Sequence, residues 1–362
     1  MATARRARGW IWSIRSVHRR DPEAIGRTNE ALLAVHRRRE GSRNGIPHRL
    51  DLRSHRHRRA APAGRRLRLG AEPLTTMLKA ADLRAARAAM AVMIRESAVR
   101  YVDGPLTLDG RTPGPGCWIA SADGYLIEDG ATAIAYRRGE GISVHRGPGH
   151  DSCAEELFRQ GSVYTAIAAL NGFLPIHASA VTIRGEVHAL SGPSGAGKST
   201  LVAALATLGA ALFCDDTLVL VPGEGGALIA LPGHKRLKLT ADALTATGLS
   251  REGQVYPGVS KWYARPPGGS TVHPLPLASL TFLEDGPLAF SALRGSEALS
   301  RLYDGHYTAQ ITDYVAADPT VALRHRAALV KAAQMFRFVR PRNEKGSIDW
   351  ARLLLERLAS QV

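Results

Sequence analysis

The sequence predicts an α/β protein, with a phosphate-loop domain over 151–362 and a small α+β domain over 77–150 before it. Three observations carry that expectation. From Pro175 onward, apolar strand-like runs alternate with helical patterns. A glycine-rich loop separates one such strand from the helix after it. The segment before them breaks into short alternating runs at Asp-Gly and other glycine turns.

The first 70 residues stand apart. They hold nineteen of the 48 basic residues, all Arg, against five acids, while the rest of the chain is close to neutral at 29 bases against 27 acids. The basic total therefore describes a tail, and a nucleic-acid partner for the body is not expected. Residues 1–76 read as a basic extension that is disordered or spurious, since Arg without Lys is what a GC-rich frame upstream of a start at Met77 would encode. A nucleic-acid tail and a targeting peptide are the alternatives, although five acids fit the latter poorly. No run of eighteen apolar residues exists, so no membrane span is expected. Cys117, Cys153 and Cys214 are odd in number and lack CxxC spacing, which argues against a disulfide framework or zinc site and suits a reducing cytoplasm.

From 77 to 97, Leu78, Leu83, Ala86, Met90, Met93 and Ile94 place one apolar stripe on a helix. Short strands follow at 117–120, 124–128, 131–136 and 141–145, a meander of hairpins. A linker at 146–150 leads into a helix over 152–170. The α/β pattern then runs strand 177–183, turn Arg184-Gly185, strand 186–190, glycine loop, helix 199–208, and strands 211–213 and 218–221.

Gly192-Pro193-Ser194-Gly195-Ala196-Gly197-Lys198-Ser199 fits G-x-x-x-x-G-K-[ST] between an apolar strand and an apolar helix that continues from Thr200. Its glycines let successive backbone N–H groups turn onto phosphate oxygens at a helix N-terminus. Lys198 is expected at the β- and γ-phosphates of ATP, and the Ser199 hydroxyl on Mg²⁺. Asp215 and Asp216 follow strand 211–213, whose C-terminal end a parallel crossover returns to the loop's edge of the sheet. One carboxylate can ligate Mg²⁺ while the other accepts a proton from an attacking hydroxyl. Asp216 is grouped here with Ser199 as the metal pair, the assignment between the two staying open; a turn cap is the bland alternative.

If Arg184 and Gly185 form a two-residue turn, His177 lies opposite Gly192 and borders the loop. It either orients a catalytic Asp or is a satisfied framework histidine. His188 lies mid-strand and reads as structural. The basic run His234-Lys235-Arg236 with Lys238, before a helix at 241–247, could grip phosphate or an acidic substrate, but a solvated loop is the simpler reading. Lys261, Arg265 and the cluster over 337–342 are similar, and none takes a catalytic role on sequence alone.

Ile176-His177-Ala178-Ser179-Ala180, the phosphate loop and Phe213-Cys214-Asp215-Asp216 together resemble the C-terminal catalytic domain of HPr kinase/phosphorylase. The resemblance is tight over 175–221 and loose beyond. It implies a serine-protein kinase site on a fold akin to phosphoenolpyruvate carboxykinase, with His177 helping to activate the base, Lys198 and Ser199 binding ATP and Mg²⁺, and the aspartates supplying base and metal ligand. It also implies a homo-oligomer of unspecified size. The family's glycine-containing signature after the aspartates and its lysine-bearing loop linked to phosphorolysis have no counterpart, and Pro193 and Thr200 depart from its usual residues. The layout is more similar to shorter HPr-kinase-related proteins, some of which phosphorylate a peptide serine.

The resulting expectation is an ATP-dependent kinase acting on a serine hydroxyl of a peptide or small protein. A P-loop ATPase or nucleotide-binding regulator and a kinase of a small hydroxylated metabolite are the alternatives. A transporter ATPase is not expected, because no LSGGQ-like signature follows the loop.

Overall fold

A computed structural model describes residues 15–16, 78–266, 269–303, 307–315, 319–341 and 346–360. The expectation for 1–76 therefore falls almost wholly outside the described residues. By its contacts the chain divides into residues 17–67, also outside them, and a unit holding the rest.

The N-terminal region opens with strand β1 (Arg15–Ser16) and helix α1 (Ala80–Glu96). Strands β2 (Val99–Tyr101), β3 (Cys117–Ala120), β4 (Gly124–Glu128), β5 (Thr132–Arg137) and β6 (Gly141–Arg146) then complete a six-stranded sheet. The expected meander is there, with β3 to β6 pairing antiparallel in sequence order. Its α1 stripe buries Ala86, Ala89 and Met93, whereas Ile94, expected on that stripe, is 71 % exposed in the last turn. Buried Glu96 accepts bonds from the Tyr136 hydroxyl (3.0 Å) and the Gly139 N–H (2.7 Å), tying the helix end to β5.

The helix expected over 152–170 forms as α2 (Ser152–Phe158), a π-helical turn (Arg159–Val163) and α3 (Tyr164–Leu170), capped by Asp151. Val163, Ala166, Ile167 and Leu170 share one apolar cluster with Trp118, Ile134, Val219 and Ile229, so the meander and the second sheet are joined through this helix.

The eight-stranded second sheet holds β7 (Leu174–Ile183), β8 (Glu186–Ser191), β9 (Ala211–Cys214), β10 (Thr217–Pro222) and β11 (Leu228–Leu231). A separate three-stranded sheet, β12 (Leu237–Leu239), β13 (Arg251–Gln254) and β14 (Trp262–Ala264), with helix α5 (Ala241–Thr247) between its first two strands, interrupts the chain before the large sheet resumes. The resumption is β15 (Leu275–Asp285), β16 (Ala289–Leu293) and β17 (Gln334–Arg340), which the sequence patterns had not resolved. Helix α4 (Lys198–Thr207) follows the glycine loop; α6 (Gly295–Arg301), α7 (Tyr307–Val315), α8 (Pro319–Ala332) and α9 (Ser347–Ala359) complete the chain.

Direction within this sheet fixes where loops gather. β15 runs parallel to both β8 and β17, while β7 lies antiparallel to β8 and to β9. The C-terminal ends of β8, β9, β15 and β17 therefore share one edge, as a β8–α4–β9 crossover requires. Helix α4 covers the face below that edge, with Leu201, Val202, Ala203, Ala204, Leu205 and Ala206 all buried. It is apolar all round because α9 packs on it from outside through Trp350, Ala351 and Leu354.

Leu354 is fully buried between α9 and α4. Leu354→Ala is expected to cost about 2–5 kcal/mol in a denaturant melt. The measurement to set beside it is ligand binding by the surviving folded fraction, which should be unaltered because no site residue leaves its place.

Candidate active site

The site begins with a turn. Arg184 (φ 50°) and Gly185 (φ 81°) both occupy left-handed conformations, the type I′ geometry that suits a two-residue hairpin. The register that follows pairs Ile183 with Glu186 and Ala178 with Ser191, as the sequence arithmetic required. His177 is one step beyond, at the mouth of the Gly192–Ser199 loop, and its carbonyl accepts the Ser191 hydroxyl (3.0 Å).

Two glycines in the loop cannot be replaced. Gly192 (φ 138°) passes so near β15 that a Cβ would fall 2.7 Å from the Leu283 carbonyl oxygen, and Gly197 (φ 87°) begins α4 from a left-handed conformation. Pro193, Ser194 and Gly195 are exposed at the loop's crown, Ala196 is buried, and Ser199 and Thr200 are half-buried in the first turn of α4. Lys198 is buried, and its ammonium folds back on its own loop, donating to the carbonyls of Gly192 (2.8 Å) and Pro193 (3.2 Å). Burial pushes its pKa down to about 8, against the opposing pull of Asp216 and Asp215.

The two aspartates separate. Asp215, 2 % exposed, accepts the Ser199 hydroxyl (2.8 Å) and the Ser179 hydroxyl (2.6 Å) on Oδ1 and the Lys238 N–H (3.0 Å) on Oδ2. Asp216 takes a left-handed conformation (φ 76°) that turns its side chain the other way, towards His177 Nδ1 (3.3 Å) and the Lys238 ammonium (2.7 Å). The Ser199 hydroxyl, grouped with Asp216 from the sequence, bonds Asp215, because the left-handed turn at Asp216 carries its side chain away from α4.

His177 Nδ1 also lies 3.0 Å from the Asp216 carbonyl oxygen. Both partners only accept, so Nδ1 carries the proton. Burial disfavours charge on Asp216, but Lys238 and His177 outweigh it and hold the carboxyl well below the usual carboxylate range. Asp216 correspondingly keeps the buried Lys238 ammonium above its ordinary value, overcoming the effect of burial.

The solvated-loop reading of the basic run is overturned. Its residues are half-buried or buried: Lys235 donates to the Phe213 carbonyl, Arg236 pairs with Glu156 and lies over the Tyr263 ring, and Lys238 reaches Asp216. Burial lowers the pKa of Lys235 to about 8 and that of His234, beside Lys238 and Asp216, to about 4. Lys261, just before β14, is close enough for its charge to act on Lys198. His188 is structural as read: it is largely buried against Ser279 Oγ (2.9 Å), with its pKa lowered to about 4 by burial.

Ser179, Lys238 and Arg340 lie in segments singled out from the sequence, but that reading gave none of them a place at the site. Ser179 had a usable signal, since it lies two residues beyond His177 on the same face of a strand. Lys238 had none beyond its charge. Arg340 is buried and donates to the Ala196 carbonyl (2.8 Å) across 144 residues of chain.

No protein-family model and no curated protein matches the sequence. Among solved structures, the HPr(Ser) kinase/phosphatase from Coxiella burnetii aligns with 14 % identity over 52 % of this chain and 99 % of that chain. Its TM-score of 0.29 is too low for the likeness to carry any argument. Among the described residues no helix is long and apolar enough to cross a membrane.

Lys198 makes the site sensitive to pH. Its folded pKa of about 8 lies below the ordinary lysine value of 10.5, so the unfolded chain binds the extra proton between them and the fold gains stability as pH rises through that window. In chemical melts from pH 7 to 10.5, Lys198→Met should lack this gain. Identical pH profiles for the two proteins would contradict the burial of a charged lysine in the loop.

Proposed function

We propose that the protein is an ATP-dependent, Mg²⁺-assisted kinase that transfers the γ-phosphate to a serine hydroxyl of a peptide or small protein. The observation that supports this reading is the division of two neighbouring carboxylates at one loop, Asp215 on the Ser199 hydroxyl and Asp216 on His177. Asp215 with Ser199 suits a metal ion, and the separate carboxylate oriented by an imidazole provides a seat for an acceptor hydroxyl.

Each residue then has a task. The Gly192–Ser199 N–H groups receive phosphate oxygens at the start of α4, and the Lys198 ammonium exchanges the Gly192 and Pro193 carbonyls for the β- and γ-phosphates. Ser199 and Asp215 are hard oxygen donors suited to Mg²⁺, an ion that takes few protein ligands and completes its shell with phosphate and water. When bound, Mg²⁺ supplies charge neutralisation between the phosphates. Ser179 fixes the Asp215 carboxylate from behind (2.6 Å). Asp216 accepts the acceptor's hydroxyl proton, with His177 setting its orientation. A carboxylate held so acidic is a weak base, and a loose phosphoryl-transfer transition state asks for little base strength and much positioning. Lys238, next to Asp216, balances the charge that develops on the transferring phosphoryl group. The sequence resemblance to HPr kinase/phosphorylase supports the protein or peptide acceptor; the small-metabolite acceptor rests on no observation of its own.

The experiment is transfer from γ-labelled ATP to serine peptides, with nucleotide and Mg²⁺ affinity measured beside it. Label is expected in the peptide; label confined to free phosphate would make the protein an ATPase. Asp215→Asn should raise the Mg²⁺ requirement. Asp216→Asn should leave ATP and Mg²⁺ binding near wild type while transfer falls about 10²-fold or more, and His177→Ala should follow it. Full transfer by either aspartate variant would refute the mechanism. Lys198→Ala should bind no nucleotide, since it removes the loop's charge-assisted donor.

A further inference from the structure

Arg340 ends β17 at the sheet edge where the phosphate loop lies, paired in register with Asp285, the last residue of β15. It is 8 % exposed, and its Nη2 donates to the Ala196 carbonyl oxygen at 2.8 Å. The same nitrogen occupies the space beside Gly197, 2.8 Å from where a Cβ would stand there. Nothing in the catalytic scheme above uses this guanidinium.

The consequence lies in one peptide plane. The Ala196 carbonyl and the Gly197 N–H belong to the same trans unit, so they point in opposite directions. A donor that holds the carbonyl outward, against β17, turns the N–H inward, into the concavity of the loop. Ala196 is held from a second direction by its own N–H on the Pro193 carbonyl (3.0 Å). Gly197 has no side chain and a left-handed φ, so without that anchor its peptide is the loop's freest to flip.

We propose that Arg340 is a positioning residue for nucleotide: it pins the Ala196–Gly197 peptide so that the Gly197 N–H is preset towards a phosphate oxygen of the bound triphosphate. This rests on the kinase reading only in requiring a nucleotide in the loop. Because the N–H meets a phosphate oxygen before and during transfer alike, the effect falls on binding and not on the chemical step. Arg also suits the position better than Lys, since its rigid planar fork reaches the carbonyl at a fixed angle without taking the space of a Cα hydrogen.

The test is MgATP affinity by calorimetry and steady-state turnover for Arg340→Ala, Arg340→Lys and wild type. The loss of a hydrogen bond from a charged group predicts ATP affinity lower by about 10-fold or more in Arg340→Ala, with KM raised to match and kcat within about threefold. Arg340→Lys should fall between, and millimolar guanidinium should restore part of the affinity of Arg340→Ala, which a loss of packing alone would not allow. If Arg340→Ala does not fold, Arg340→Lys carries the test, with the same split between KM and kcat expected at smaller size. Unchanged ATP affinity in a folded variant, or a fall in kcat with KM intact, overturns the proposal. In that event loss of binding in Lys198→Ala would still uphold the nucleotide site; a wild type that binds no ATP would sink both.

Discussion

A two-residue turn sets the register on which the rest of the site depends. With Arg184 and Gly185 both left-handed, β7 and β8 can pair in only one way, and a slip of one residue would turn every side chain to the other face. In the register found, Val181 and Leu190 meet the α4 layer while Ala180 and Ala189 face the opposite core. His177 and Ser179 consequently fall on the α4 side, next to the loop. The polar site is thus specified by an apolar constraint, because the face that must be buried decides where the hydroxyl and imidazole go.

Asp215 converts that register into a joint. Its carboxylate accepts from Ser179 on β7, Ser199 on α4 and the backbone of Lys238 on β12. Three elements remote in sequence are held by one buried group, and leaving any of those donors unpaired would cost about 1–3 kcal/mol. Asp216, by contrast, is balanced by charge, with Lys238 and His177 on either side. Neighbouring residues of the same type thereby take different chemical characters, one a fixed acceptor among neutral donors and the other an ion in a cationic setting.

The basic segment after β11 shows why charge runs are poorly read from sequence. Lys235, Arg236 and Lys238 find a carbonyl, a carboxylate and a second carboxylate on three separate elements, and the strand that carries Lys238 pairs with β14 through Tyr263. In a linear reading the same residues are only a solvated cluster. Their partners are supplied by β9, by the turn after it and by α2, and no local pattern connects those to residues 234–238. The helix over 152–170 was legible as apolar periodicity, but its π-helical turn was not, since an i→i+5 bond leaves no mark on a period of 3.6.

By itself the sequence determined the strand–turn–strand–loop–helix–strand unit and the residues gathered on it: His177, Lys198, Ser199, Asp215 and Asp216 all lie within 40 positions, where spacing and turn chemistry fix geometry. It also determined the meander, through its glycine turns. Only the tertiary structure decided which aspartate meets Ser199, because that depends on a left-handed φ at Asp216 that no residue preference dictates. It alone placed Lys238 at Asp216 and Arg340 at Ala196, contacts spanning 22 and 144 residues. Local forces act through hydrogen-bond period and side-chain alternation and are written in adjacent residues; contacts across the sheet edge arise from strand order, which the chain settles only when its apolar faces pack together.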